Sequence, residues 1–133
     1  MVFDVTWEER AEGMIVVRPS GHLDSDTYTI FEDALGPRLG QATRVMVFDM
    51  EALDYISSAG LRVLFKAVKA LEAQGSTYLL SNLKPQIRKV FEIINALPDM
   101  RIFKDIEEVD AYLDVIQQRE MARAKGEPLP EDP

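Results

Sequence analysis

Residues 44–73 read RVMVFDMEALDYISSAGLRVLFKAVKALEA, and the rest of the chain is arranged around that stretch. Val45-Met46-Val47-Phe48 is an uninterrupted apolar run, the pattern of a strand buried on both faces. Asp49 ends the run, and a short acidic loop through Glu51, Asp54 and Tyr55 is expected to follow. After Ile56-Ser57-Ser58-Ala59-Gly60 the spacing turns helical. Leu61, Val63, Leu64, Phe65, Val68 and Leu71 make a broad apolar face, broken by Arg62, Lys66, Lys69 and Glu72. Two serines therefore stand where a strand hands over to a helix. There the first backbone N–H groups are unpaired and the helix dipole is positive. Serine is a preferred N-cap, which accounts for one of the two.

The 133 residues suit a single domain with a real core. Lys and Arg number 15 against 23 Asp and Glu, a net charge of −8, which argues against direct binding to a nucleic-acid backbone. The absence of cysteine excludes disulfides, zinc–thiolate sites and thiol catalysis. The opening MVFDVTWEER has no basic n-region and does not read as a signal peptide. No apolar run approaches membrane-spanning length. The expectation is a soluble cytoplasmic domain.

Working outward, Val2 to Trp7 alternates like a half-buried strand, and the polar Glu8 to Gly13 suits a hairpin connection. Met14 to Pro19 is a second strand, leading into Ser20-Gly21-His22-Leu23-Asp24. A helix is expected from about Thr27 to Leu39, capped by Asp24, Ser25 or Asp26. Tyr28, Phe31, Leu35 and Leu39 form its stripe, and Pro37 kinks or shortens its end. Gln74-Gly75 stops the central helix, and Ser76 to Leu80 is a short strand. Pro85 opens a helix with Ile87, Val90, Phe91 and Ile94 on its buried face. Met100 to Phe103 reads as a final strand. Asp105 then caps a helix carrying Ile106, Val109, Tyr112, Leu113 and Ile116. Residues 119–133 hold three prolines and many charges, so this tail is expected to be flexible or only partly helical, set apart from a domain of residues 1–118. An initial hairpin followed by alternating helices and strands argues for an α/β fold with a mainly parallel or mixed sheet.

The phrase Tyr55-Ile56-Ser57-Ser58-Ala59-Gly60-Leu61-Arg62-Val63-Leu64 resembles the central motif of STAS domains. That fold is shared by bacterial anti-sigma factor antagonists and the cytoplasmic ends of sulfate transporters. Gly21, Leu23 and Asp24 match the family's Gly-x-Leu-Asp strand end, and Asn82 to Phe91 is similar to a further STAS segment, with Asn95 near a position where the family often has glycine. The resemblance implies a single α/β domain of about five strands and four helices. In the antagonists the motif runs aromatic, apolar, Asp, Ser, Ser or Thr, Gly, Leu, and the first serine is phosphorylated. Ser58 takes that serine's place, Ala59 the second hydroxyl residue's and Gly60 the glycine's, while Ser57 stands where the antagonists carry aspartate. Two candidate hydroxyls result, Ser58 first and Ser57 second. The resemblance implies a partner surface of Asp24, Asp54, Ser57, Ser58, Ala59, Gly60 and Arg62. It also implies an anti-sigma factor with serine-kinase activity as partner, and a phosphatase that reverses the modification.

Phosphoserine at position 58 would add about −1.5 to −2 charges at a helix N-terminus, which tolerates them. A desolvated partner contact would not tolerate them, so one modification can switch binding and spare the fold. Two rivals stay open. One is a STAS interaction module that is never phosphorylated, with Ser57 and Ser58 as caps only and a phosphatase or another signalling assembly as partner. The other is a receiver-like pocket of Asp24, Asp49 and Asp54 holding Mg²⁺. Neither a Gly-rich phosphate loop nor a Gly-x-Ser-x-Gly elbow is present, so no enzyme, cofactor or metal site is expected. His22, the single histidine, suits a surface or turn position better than metal ligation.

Overall fold

The computed structural model describes residues 3–40, 42–96 and 106–127. In chain order the elements are β1 (Asp4–Ala11), β2 (Met14–Leu23), α1 (Tyr28–Leu35), a 3-10 turn at Gly36–Arg38, β3 (Val45–Asp49), β4 (Leu53–Ile56), α2 (Ser58–Ala73), β5 (Thr77–Ser81), α3 (Pro85–Ala96) and α4 (Ile106–Lys125). The fold is α/β, a five-stranded mixed sheet with four α-helices among the described residues. The expected strand at Met100–Phe103 and the cap at Asp105 lie outside the described residues. So do the side chains of Asn95, Ile106 and Val109.

The sheet runs β1-β2-β3-β5, with β4 added beside β2. β1 is antiparallel to β2, whereas β3, β4 and β5 all pair in parallel. β2 divides its length between two partners. Met14–Val17 pairs with β3, and Gly21–Leu23 pairs with β4. The change of partner falls at Gly21, whose φ of +94° is one that L side chains rarely adopt. β2 therefore runs longer than the expected Met14–Pro19, and its far end is aimed at the two serines.

Three expectations need correction. The segment through Asp54 and Tyr55 is a strand, β4, not a loop. Only Leu53 and Ile56 of it are buried, so four residues give no alternation to read, and pairing with β2 decides the conformation. β1 continues to Ala11, leaving a turn at Glu12–Gly13. Its last half is charged and exposed, as suits the edge of a sheet. β3, finally, is buried on one face only. Met46 and Phe48 join the core under the helices, while Val45 and Val47 are half-buried. Val47 pairs with the exposed Leu79 of β5, so that face of the sheet stays open.

The core gathers Leu23, Phe31, Leu35, Met46, Phe48, Leu53, Ile56, Leu61, Leu64, Leu71, Ile87 and Val90 at near-zero exposure. α1 ends at Leu35 and tightens into the 3-10 turn carrying Pro37, shorter than the stripe to Leu39 suggested. Its N-cap is Thr27, without a side-chain cap bond, so none of Asp24, Ser25 and Asp26 holds that position. α4 runs through residues 119–125 as helix, with Ala122 buried.

Candidate functional site

At the handover from β4 to α2 the two serines have different fates. Ser57 is the N-cap, with extended backbone (φ −98°, ψ 177°) and its hydroxyl accepting from the Gly60 N–H at 3.4 Å. Its own N–H donates to the Leu23 carbonyl at 2.9 Å, and its carbonyl accepts the first helical bond, from Leu61. Ser58 is the first helical residue. Its backbone N–H, one of the groups a helix leaves unpaired, donates to Asp110 Oδ1 at 2.8 Å. The Ser58 residue is 6% exposed, and its Oγ is buried with no hydrogen-bond partner among the described residues. A buried hydroxyl without a protein partner calls for an explanation.

Gly60 lets this corner close. A Cβ there would stand 2.6 Å from Leu23 Cγ and 3.0 Å from the Leu23 carbonyl oxygen. The helix start thus rests directly on the end of β2, and Asp24 follows immediately. Asp24 shapes the turn before α1: its carboxylate accepts from the Asp26 N–H at 2.9 Å, and its carbonyl accepts from the Tyr28 N–H. The Thr27 hydroxyl donates to the His22 carbonyl at 2.7 Å. His22 stacks on Tyr55 with ring centroids 5.3 Å apart, so it is a turn-and-packing residue. Burial pushes the Tyr55 phenol up to about 12, with the carboxylates of Asp114, Asp110 and Asp24 adding to the shift. This end of the molecule is therefore strongly acidic.

Asp54 and Asp49 are each held by other side chains. Asp54 is bonded to Lys84, and its carbonyl accepts from Gln86. Asp49 accepts from Asn82 at 3.1 Å and from the Glu51 N–H, and pairs with Arg18 at 3.4 Å. The Asn82 bond is the main reason the Asp49 carboxyl lies below the usual aspartate range. Asn82 itself holds a left-handed backbone, φ +56°. Asp24, Asp49 and Asp54 thus have separate partners, and among the described residues no group of three acids or histidines is arranged to hold a metal. The receiver-like pocket has no geometric support. Arg62 lies exposed one turn into α2, and Ala59 and Gly60 complete its first turn.

The residues that sequence reasoning missed are on α4. Asp110, Leu113 and Gln117 share one helix face at i, i+3 and i+7. Gln117, fully buried, accepts from the Ile56 N–H at 2.8 Å and donates to the Ile56 carbonyl at 2.9 Å. It thereby closes the outer edge of β4. The available signal was a buried-face position filled by glutamine, but its partner lies 61 residues away.

The STAS domain family profile matches residues 8–109. The chain belongs to the STAS domain family. Among its relatives is BtrV of Bordetella bronchiseptica, a candidate anti-sigma factor antagonist, 36% identical over 85 residues that cover 64% of this chain and 73% of BtrV. The solved structure of the anti-sigma factor antagonist SpoIIAA in its unphosphorylated form superposes with a TM-score of 0.62 at 24% identity, covering 71% of this chain and 84% of that one. The phosphorylated form of SpoIIAA, described as a Bacillus cell fate determinant, gives a TM-score of 0.59, also at 24% identity, covering 71% and 86%. The fold is therefore that of the antagonist-like STAS domains. No described helix is long and apolar enough to cross a membrane.

Proposed function

We propose that this protein is a cytoplasmic anti-sigma factor antagonist, which binds an anti-sigma factor with serine-kinase activity and is switched by reversible phosphorylation at Ser58. The observation that carries the reading is the state of the two hydroxyls at the start of α2. Ser57 has spent its hydroxyl on the helix cap, and Ser58 has not. Transfer from a nucleoside triphosphate forms the Oγ–P bond at Ser58, breaks the bond to the diphosphate leaving group and releases the hydroxyl proton. The helix N-terminus favours the new dianion locally. A partner docked on this acidic end meets added like charge and bulk. On this reading the protein is a phosphate acceptor and not a catalyst, and a serine phosphatase restores the binding form.

Burial of Ser58 beneath α4 favours a second reading, a STAS interaction module that is never phosphorylated. Phosphosite mass spectrometry on protein from its native cells separates the two, with Ser58→Ala and Ser57→Ala as controls. Phosphate lost only in Ser58→Ala supports the switch. Its absence under every growth condition, with a partner still co-purified, establishes the constitutive module. For the switch, Ser58→Asp lowers partner affinity; equal binding by the wild type and Ser58→Asp contradicts it.

A further inference from the structure

We propose that α4 is a built-in, displaceable cover of the switch site, with Asp110 holding the place that a phosphoryl group on Ser58 needs, so that docking of α4 and phosphorylation exclude one another. The inference rests on Ser58 being the modified residue and adds the control of its access. Three contacts make the cover. The Asp110 carboxylate takes the Ser58 N–H at 2.8 Å, the anion position of a helix N-terminus. The Gln117 amide takes both backbone groups of Ile56, on the edge of β4 that no described strand pairs. Beside these contacts Ser58 Oγ is buried and has no hydrogen-bond partner among the described residues.

A phosphoryl group cannot be added to this arrangement. It would carry about −1.5 to −2 charges into a site from which water is excluded, beside a carboxylate already on the same N–H. Phosphate on Ser58 would also compete with Asp110 for that donor. Conversely, no phosphoryl donor reaches Oγ while α4 is in place.

The docking is of a kind that can be undone. Among residues 110–127 of the helix Leu113, Gln117 and Ala122 are buried, Tyr112 packs partly buried against the core and the helix lies along α3, so its seat over β4 and α2 rests on few side chains. Gln117 is specific as well as reversible. Its amide bonds the Ile56 backbone as a neighbouring strand would, and its departure would open that backbone edge to a partner.

The test places phosphoserine at position 58 by genetic encoding in the full chain, so that no kinase is needed, and reads amide hydrogen exchange. Exchange across residues 110–125 and at Ile56 is expected to quicken by about tenfold or more, while β2 and β3 keep their protection. Asp110→Asn in the phosphoserine protein removes one like charge and is expected to restore part of the α4 protection. In unmodified protein, Asp110→Ala with Gln117→Ala is expected to expose the same segments. Equal α4 protection with and without phosphate overturns the proposal. Loss of protection across the sheet as well overturns it too, because the cover would not be separable from the fold. If native cells never phosphorylate Ser58, the functional reading fails while the exchange result still decides whether α4 yields to an anion there.

Discussion

Gly60→Ala tests whether the start of α2 is seated on β2 as tightly as the geometry says. The added methyl would lie 2.6 Å from Leu23 Cγ and 3.0 Å from Cδ2, where carbon atoms normally rest at about 3.5–4.0 Å. Relief requires a movement of roughly 1 Å. Leu23 is fully buried, and its carbonyl oxygen, 3.0 Å from the new methyl, is bonded to the Ser57 N–H. Neither group can turn away without breaking packing or the cap. Overpacking of this kind costs about 1–3 kcal/mol. Against it stands the gain of about 1 kcal/mol from replacing glycine by alanine inside a helix.

Because backbone is part of the clash its cost falls in the upper part of that range, about 2–3 kcal/mol, and a net loss of roughly 1–2 kcal/mol is expected. For a chain of this length Tm falls by roughly 3–10 °C. Urea unfolding followed by circular dichroism gives the difference as a shift in midpoint at constant m-value. Gly40→Ala is the control. Its φ lies outside the left-handed region and nothing lies within 4 Å of its Cβ position, so no loss is expected and a gain of up to about 1 kcal/mol is allowed. Gly60→Ala in a Leu23→Ala background should cost less than in the wild type, because the closest atoms are gone. A Gly60→Ala protein as stable as the wild type refutes the reasoning.

Two further outcomes follow from the other side chains of this end. Asn82→Ala should destabilise more than Asn82→Gly, by about 1 kcal/mol, since both lose the bond to Asp49 but only alanine meets the left-handed backbone penalty; equal losses in urea melts would show that the backbone at φ +56° is unstrained. The Tyr55 phenol, raised from 10.0 to about 12, keeps its proton where the unfolded chain has lost it. Its contribution to stability is therefore full below pH 10 and is lost as pH rises to about 12. Tyr55→Phe should flatten that decline, and the 295 nm absorbance difference between the two proteins should titrate near 12 and not near 10.

The long periodic elements were legible in the sequence because their own residues determine them. α2 and α3 carry apolar positions at helical spacing, and the Val45–Phe48 run announces β3 even though only one of its faces is covered. The Gly21-His22-Leu23-Asp24 phrase pointed to a strand end, and the positive φ of Gly21 gives the physical reason for its glycine. What the sequence hid depends on distant partners. β4 is too short to show a period, and it exists because β2 bends to meet it. The acids of residues 49–54 read as one loop, but Lys84, Asn82 and Arg18 give Asp49 and Asp54 separate partners. Asp110 and Gln117 gain their roles only from partners 52 and 61 residues earlier in the chain.

The helix boundary itself sets Ser57 and Ser58 apart. One residue before the helix, the backbone is extended and the side chain can turn inward to the N–H of Gly60; one residue later, the backbone is helical and the side chain has no such target. The tightness of Gly60 against Leu23 and the bond from Ser57 N to Leu23 O fix that boundary, since a shift of one position would place a side chain where only glycine fits. The end of β2 thus determines which hydroxyl serves as the cap. The other is left unspent beneath α4, on a residue whose backbone N–H is held by a carboxylate that can leave with its helix.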